Sequence, residues 1–378
     1  MRRLYWTALV MDAAFFCGWA TVPFLVKRGD ALHLDDAALG LLLALSALAY
    51  AGGAFWLAPL WANRNQIVFA RLACLGTALS FVLAAMATAR WQLFVWLCFG
   101  RLCLSVFWPN LMALVGEAPR GDLERRISDF NCWWSSGKAL AFLACAALLD
   151  RFGDPRVALV VCGVVATLPV FLVPSQCAAA DVEPAPMGVR GSQRLFLAGL
   201  VGVFVAWFVG AIWENQFPKG LGEARFAEVF GKEGYAFWIN QLLFALYGGQ
   251  AVMFFVLRAW RGWPMRAWMV VVGAVLIAAS QVGTLVSHSP VVVALLLFAG
   301  GAGFAVVYAQ SLYHAQAGRA DKVRRSGIHE GTLNLGTMLG PPVAGGLVVA
   351  TSSLEAAFVV TVIAGVGCLV GVSVLIRR

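Results

Sequence analysis

Residues 117–126, EAPRGDLERR, are repeated without a gap 199 positions later as residues 316–325, QAGRADKVRR. Five of the ten positions are identical, and the same offset aligns Gly137 with Gly336 and Leu140 with Leu339. Basic loops alone would give scattered arginines, not identities in register. The repeat therefore indicates a duplicated chain whose halves share one order of elements. The identical pairs are Ala118 and Ala317, Arg120 and Arg319, Asp122 and Asp321, Arg125 and Arg324, and Arg126 and Arg325.

Composition assigns these halves to a membrane. Of the 378 residues, 61% are hydrophobic and only 12% are charged, which is too little polar surface for a water-soluble protein of this length. A bilayer takes about 20 apolar residues per helix. We therefore predict an all-α polytopic membrane protein with twelve transmembrane helices in two pseudo-symmetric six-helix bundles. The predicted spans are 4–26, 37–62, 66–88, 92–116, 129–149, 156–174, 195–216, 233–257, 267–287, 290–317, 327–350 and 354–376.

A stretch rich in proline, alanine and glycine, PSQCAAADVEPAPMGVRGSQR at 174–194, separates six spans from six. This predicts an N-terminal bundle at 1–174, a cytoplasmic linker at 175–193 and a C-terminal bundle at 194–378. The first segment begins with basic residues, as a signal sequence does. It is too long for one and carries Asp12 in its middle, so we expect it to be retained as a span.

The net charge of +9 follows from topology and does not indicate a nucleic-acid partner. With both termini cytoplasmic, the inner segments hold 17 lysines and arginines and the outer loops hold 8. The positive-inside rule favours this orientation, and we expect it in the plasma (inner) membrane.

Two short motifs resemble those of the major facilitator superfamily. PLWANR (59–64) is similar to the signature that follows the second span, with Asn63 in place of the usual acid. GRLCLSVFWPN (100–110) is similar to the fourth-span pattern, in which the position of Arg101 is associated with proton coupling. The resemblance implies a secondary transporter that moves a solute by rocking two halves around a central cavity.

A third motif, GTMLGPPVAGG (336–346), resembles the glycine-proline signature of the family's antiporters. In those antiporters it lies in the fifth span, whereas here it lies in the eleventh. Its repeat counterpart in the fifth span, GKALAFLACAA (137–147), has no proline and no paired glycines. This argues against a drug antiporter.

Polar residues line one face of the predicted fifth span. Lys138, Ser135 and Asn131 are spaced three, four and seven apart and share a helix face. This face is predicted to lie against protein or a water-filled cavity. Its repeat counterparts in the eleventh span are Thr337, Asn334 and Glu330.

Three charged residues lie deep in the first half. Asp12 and Lys138 are each about 12 Å from the inner end of their spans, and Arg101 lies midway along its span. Because each charge costs about 2.5–3.5 kcal/mol at the centre of a helix, partners are required. We expect Asp12 to pair with Arg101, which leaves a surplus positive charge on Lys138 for an anionic solute. The alternatives are that Lys138 snorkels to the surface and that the Asp12–Arg101 pair is purely structural.

In the second half, Glu330 opens the predicted eleventh span, where it serves either proton coupling or the helix dipole as a cap. Glu214 lies near the outer end of the seventh span and is assigned to an outer gate. The predicted substrate-binding or coupling residues are Asp12, Arg101, Asn131, Ser135, Lys138, Asn240, Tyr247, Glu330 and Asn334.

The sequence therefore predicts a monomeric symporter of a small polar solute, favouring an anionic one, with protons as the coupling ion and membrane lipids around it. An exporter of amphipathic compounds and a non-transporting receptor or scaffold are the alternatives. We find no catalytic set, no metal-ligand spacing and no phosphate-binding loop around SSGKA (135–139), so no enzyme activity and no cofactor are expected.

Overall fold

The computed structural model describes residues 1–28, 32–61, 66–117, 123–174, 189–215, 235–353 and 355–377. Within these ranges, twelve spans are long and apolar enough to cross a membrane. In the first half the helices are Arg2–Arg28 (span 1), Asp36–Gly52 with the π turn Gly53–Leu57 and Ala58–Trp61 (span 2), Gln66–Ala85 (span 3), Arg90–Gly116 (span 4), Leu123–Phe152 (span 5), and Pro155–Val165 with Pro169–Leu172 (span 6). In the second half they are Val189–Asn215 (span 7), Tyr235–Ala259 (span 8), Ala267–Val286 (span 9), Pro290–Gln316 (span 10), Lys322–Thr351 (span 11) and Ala356–Arg377 (span 12).

All twelve predicted spans are confirmed, although three begin five or six residues earlier than predicted. Spans 5, 7 and 11 start at Leu123, Val189 and Lys322. The polar first turns of these helices lie beyond the apolar run that defined the predicted spans. The last residues of the predicted linker are therefore helical. Three segments lie outside the described residues: the first part of that linker (175–188), the centre of the repeated motif (118–122) and residues 62–64 of PLWANR.

The spans are helical because hydrocarbon offers no hydrogen bonds to an open backbone. Polar residues in the connections cap the starts of two spans. The Asp35 carboxylate accepts a hydrogen bond from the Ala38 N–H at 2.7 Å, and Asp154 caps the helix that begins with Pro155. These N-caps mark where spans 2 and 6 begin.

The packing of the first half is repeated in the second. Span 1 packs on spans 5 and 6, as span 7 packs on spans 11 and 12, and span 3 packs on spans 4 and 6, as span 9 packs on spans 10 and 12. The halves meet along two equivalent seams, span 5 on span 8 and span 11 on span 2. The duplication read from the loops therefore extends to the whole helix arrangement.

Two glycines at equivalent repeat positions permit close contacts between helices. A Cβ on Gly137 would collide with the backbone oxygen of Leu9, and one on Gly336 would collide with that of Phe204. Only glycine lets span 5 touch span 1, and span 11 touch span 7, at these points. In the first half this contact brings Lys138 beside the turn of span 1 that carries Asp12.

We call the side where span 1 begins and span 12 ends the terminal side. There, three polar contacts join the halves. Arg258 Nε lies 2.7 Å from Asp129 Oδ1, the Gly262 N–H donates to Glu124 at 2.8 Å, and Lys322 Nζ donates to the Gly116 carbonyl at 2.7 Å. The halves are thus closed against each other on the terminal side.

We expect Gly336→Ala to lower the free energy of unfolding by about 1–3 kcal/mol, because the new methyl group overpacks the seam with span 7. Gly346→Ala, in the same helix, is the control. Nothing lies within 4 Å of a Cβ there, so it should be neutral or stabilise by up to about 1 kcal/mol. Thermal unfolding of the detergent-purified variants measures both. Equal midpoints would contradict the close approach.

Candidate functional site

A cavity lies between the two halves at the middle of the bundle. Water can occupy about 50 Å³ of it, which is room for a few water molecules. Aromatic rings form much of the wall, and span 11 adds Asn334 and Thr337. Five charged side chains line it, namely Asp12, Arg101, Lys138, Glu214 and Glu330.

Lys138 pairs across the cavity with Glu214 of span 7. The Nζ and Oε1 atoms are 2.8 Å apart, and the two side chains are only 2% and 9% exposed. The ammonium also lies 3.7 Å from the centre of the Phe16 ring and 3.8 Å from that of Tyr247. Lys138 therefore does not snorkel. It is compensated by a carboxylate and two aromatic faces.

Tyr247 connects this pair to span 8. Its hydroxyl donates to the Oε1 atom of Glu214, and its ring stacks on Phe142 at 5.5 Å with an interplanar angle of 9°. Glu214 thus receives a cation from the first half and a hydroxyl from the second. The assignment of Glu214 to an outer gate missed this central role.

Glu330 occupies a comparable setting between spans 2 and 10. Tyr50 donates to its Oε2 at 2.5 Å and Tyr308 donates to its Oε1 at 3.3 Å. Because span 11 starts at Lys322, Glu330 lies beyond the first turn, and the helix-cap interpretation is wrong. The carboxylate is held by one hydroxyl from each half.

Arg101 does not pair with Asp12. Among the described residues, no salt bridge or hydrogen bond joins the two, so the predicted pair is wrong. The guanidinium instead lies 4.8 Å from the centre of the Phe15 ring and 4.2 Å from that of Trp19. Aromatic faces of span 1 therefore hold the arginine in place of the carboxylate.

Asp12 lies among the other four charged groups of the cavity. It is 2% exposed, and the charges of Lys138, Glu330, Arg101 and Glu214 all act on it. Within the described part of the chain, its carboxylate takes part in no salt bridge and accepts no hydrogen bond. Asp12 is the carboxyl group of the cavity that lacks a dedicated donor.

Aromatic side chains from both halves pack together beside the charges. Trp134 of span 5 lies 5.0 Å from Tyr308 and 5.9 Å from Phe254, and Trp207 lies 5.3 Å from Tyr308. Because Trp134 and Trp207 each precede their charged neighbour along spans that start on the terminal side, this cluster lies on the terminal side of Lys138 and Glu214. The cavity thus offers a cationic guanidinium in a buried, aromatic setting.

The structure brings five of the nine predicted residues to the cavity wall: Asp12, Arg101, Lys138, Glu330 and Asn334. Tyr247 is outside the cavity lining but contacts both members of the Lys138–Glu214 pair. Three others lie elsewhere. Asn131 accepts from the indole N–H of Trp134 at 3.0 Å, Ser135 donates to the Tyr247 carbonyl at 3.3 Å, and Asn240 is buried away from the cavity lining.

Tyr50 and Tyr308 escaped the sequence reasoning. Neither stands out in an apolar span, because tyrosine is ordinary there. Their position opposite Glu330 depends on which helices pack together, and only the three-dimensional arrangement reveals it.

No protein-family model matches the chain, and no curated protein matches it. Solved structures of other proteins, in contrast, do match the chain. The human organic anion transporter MFSD10 (TETRAN) is 14% identical over 99% of both chains, with a TM-score of 0.74. A bacterial homologue of the human lysosomal transporter Spinster, inward-facing and occupied, is 16% identical over 99% of this chain and 95% of that one, with a TM-score of 0.69. The unoccupied inward-facing form of that homologue is 14% identical over 99% of this chain and 95% of that one, with a TM-score of 0.65.

These similarities show the fold. The chain has the same twelve-helix fold as these transporters, which confirms the predicted fold class.

We expect Lys138→Gln and Glu214→Gln each to lower the free energy of unfolding by about 3–5 kcal/mol, because each leaves a buried charge unpaired. The double variant should lose far less than the sum, since it leaves neither charge. A double-mutant cycle from unfolding of the detergent-purified variants measures this coupling. Strictly additive losses would show that the two groups act independently.

Proposed function

We propose that the protein is a secondary active transporter that moves a small organic anion by alternating access and couples it to protons. The observation that carries this proposal is the charge arrangement of the central cavity: within the described chain, the cation Arg101 has no ionic partner, and the acid Asp12 has neither an ionic partner nor a hydrogen-bond donor. The likeness to the human organic anion transporter supports the same class of solute.

Arg101 is the group that receives the anion. The charge of Lys138 is already compensated by Glu214, so the cavity cation without an ionic partner among the described residues is Arg101, and not Lys138 as the sequence suggested. The guanidinium lines the cavity, and its Nε atom is buried without a hydrogen-bond partner. A planar guanidinium held by aromatic rings is suited to bind a carboxylate through two parallel hydrogen bonds. The aromatic wall around it favours an apolar body on the solute.

Asp12 is the proton carrier. The cavity holds three acids and two bases, and two of the acids are occupied: Glu214 by Lys138 and Tyr247, and Glu330 by two tyrosine hydroxyls. A buried carboxylate without a donor is costly, and binding a proton removes that cost. Asp12 lies close enough to Arg101 for the two charges to interact, so a bound anion and a bound proton would influence each other. Isolated acids also fit protons better than sodium, which needs a cage of oxygen ligands.

Transport requires the halves to move. A cavity with about 50 Å³ for water is too small for an organic anion, so the solute enters a wider conformation. We assign the moving units to residues 1–174 and 194–378 with the linker 175–193 between them, and expect a monomer to suffice. Opening toward the terminal side must break the contacts of Asp129, Glu124 and Lys322. The basic loops support a cytoplasmic terminal side in the inner membrane.

One observation favours a second candidate, an exporter of amphipathic compounds. The cavity wall includes Phe15, Trp108, Trp134 and Trp207, which would also suit a lipophilic solute. The two candidates differ in what they require of the ligand. An organic anion needs Arg101, whereas a lipophilic cation would be repelled by it.

The first experiment is a thermal-stability screen of the detergent-purified protein against organic anions, neutral metabolites and lipophilic cations. A ligand at 100 times its dissociation constant adds about 2.7 kcal/mol to the native state. Ligands that stabilise are then tested for flux in proteoliposomes. Stabilisation by lipophilic cations alone would replace the anion proposal with the exporter. Binding without flux would favour a receptor.

We expect Arg101→Gln to weaken binding of the stabilising anion at least about tenfold, because a charge-assisted hydrogen bond is worth about 1.5–3 kcal/mol. Arg71→Gln is the matched control. Arg71 lies outside the cavity and donates to the Val173 carbonyl at 2.9 Å, so its loss should leave anion affinity unchanged. Equal effects of the two changes on binding would contradict the role given to Arg101.

We expect Asp12→Asn to keep exchange of labelled for unlabelled solute across proteoliposomes but to lose accumulation driven by a proton gradient. The amide preserves the size of the side chain and cannot carry the proton. Glu330→Gln is the comparison, because that carboxylate already has two donors. If Asp12→Asn still accumulates solute with the gradient, Asp12 is not the coupling group. Accumulation that follows a sodium gradient would overturn proton coupling altogether.

A further inference from the structure

The corner where span 5 meets span 8 on the terminal side is rich in arginines. Arg125 and Arg126 stand in the first turn of span 5, and Arg258, Arg261 and Arg266 surround the end of span 8. The charges of Arg125, Arg126 and Arg258 all act on one side chain, Tyr5 of span 1. Three of the five arginines therefore lie near Tyr5.

The carboxylates of this corner do not neutralise it. Glu124 is engaged by the Gly262 N–H at 2.8 Å, and Asp129 pairs with Arg258 at 2.7 Å. Arg125 and Arg261 are exposed and form no salt bridge with any described residue. Arg266 lies 5.3 Å from the centre of the Trp260 ring and has no carboxylate partner in the described part of the chain. A multivalent positive surface remains.

Tryptophans flank the arginines on both sides. Trp6 and Trp133 pack edge-on at 4.6 Å, and Trp260 and Trp268 pack at 5.5 Å. Trp6 and Trp268 are 48% and 47% exposed on the outer surface of the bundle. Exposed tryptophans are typical of the level of the lipid headgroups. The arginine cluster thus lies at the membrane surface and away from the central cavity.

The equivalent corner of the other seam is built differently. The repeat offset aligns Glu124 with Val323, Asp129 with Ile328, and Trp133 with Thr332. Val323 is buried there in an apolar contact with Ala58 and Ala113. The duplicated fold therefore does not require charges at this position. Among the described residues, the carboxylates and the tryptophan pair accompany the arginines only at the span 5–span 8 corner.

We propose that this corner binds the headgroup of an anionic phospholipid. Arg125 and Arg261 contact the phosphate from opposite halves, and the flanking tryptophans lie along the glycerol and upper acyl chains. The orientation expected from the basic loops places the corner in the cytoplasmic leaflet, where anionic lipids attract basic clusters. Because the arginines belong to both halves, the headgroup is held fully only while the terminal side is closed. This binding does not depend on the identity of the transported solute.

The test titrates the detergent-purified full chain with fluorescent phosphatidylglycerol. Unlabelled phosphatidylglycerol, phosphatidylcholine with the same acyl chains, and inorganic phosphate serve as competitors. We expect only phosphatidylglycerol to displace the probe efficiently. Equal displacement by phosphatidylcholine would overturn the proposal, because acyl chains alone would then explain binding. Displacement by millimolar phosphate would also overturn it, in favour of a site for free anions.

The double variant Arg125→Gln with Arg261→Gln should weaken the binding of phosphatidylglycerol at least about tenfold, because each arginine contributes roughly fivefold to the affinity. It leaves the Asp129–Arg258 pair intact. The control Arg324→Gln with Arg377→Gln removes two exposed terminal-side arginines outside the corner and should stay within twofold of the unmodified protein. All four side chains are exposed, so unfolding midpoints should not change. Equal losses in the two double variants would show general attraction to basic surface and overturn the site.

Discussion

The Lys138–Glu214 pair is the interaction on which the centre of the molecule depends. Two opposite charges 2.8 Å apart, with side chains only 2% and 9% exposed, join the halves in the middle of the bundle. Desolvation makes such a pair a weak source of net stability, but losing either partner leaves a lone buried charge. The aromatic faces of Phe16 and Tyr247 and the Tyr247 hydroxyl complete the shell around it. This contact fixes which other charges of the cavity remain uncompensated.

The duplication accounts for the helix arrangement that the two halves share. The positions at which the halves differ in sequence account for the charges of the cavity. Gly137 and Gly336 serve the same close approach in each half. At the polar positions the halves diverge, since Lys138 aligns with Thr337 and Asn131 with Glu330. One half thus contributes a buried cation where the other contributes a neutral hydroxyl, and one contributes a carboxylate where the other contributes an amide. A symmetric frame therefore encloses a cavity with an asymmetric charge distribution.

The fold was largely predictable because hydrocarbon imposes long apolar helices, and the loop repeat dictated two equivalent halves. Helix starts such as Lys322 were missed because polar first turns extend beyond the apolar run. The cavity was predictable only in part. Helical spacing identified Lys138 and Glu330 as site residues. The side chains that contact them could not be identified, because those contacts depend on which helices pack together. Arg101 therefore turned out to rest on Phe15 and Trp19, and Glu214, assigned to an outer gate, turned out to pair with Lys138.

The solvent exposure of the paired side chains determines which contacts break easily in the proposed transport cycle. On the terminal side, the Arg258 and Asp129 side chains are 37% and 18% exposed, so water can replace their interaction at little cost. The central pair has no such replacement while the cavity stays nearly dry. Opening toward the terminal side would therefore break the peripheral contacts first and keep Lys138 on Glu214. The halves would then rock about the central pair, and the peripheral contacts would hold the terminal side closed until they break.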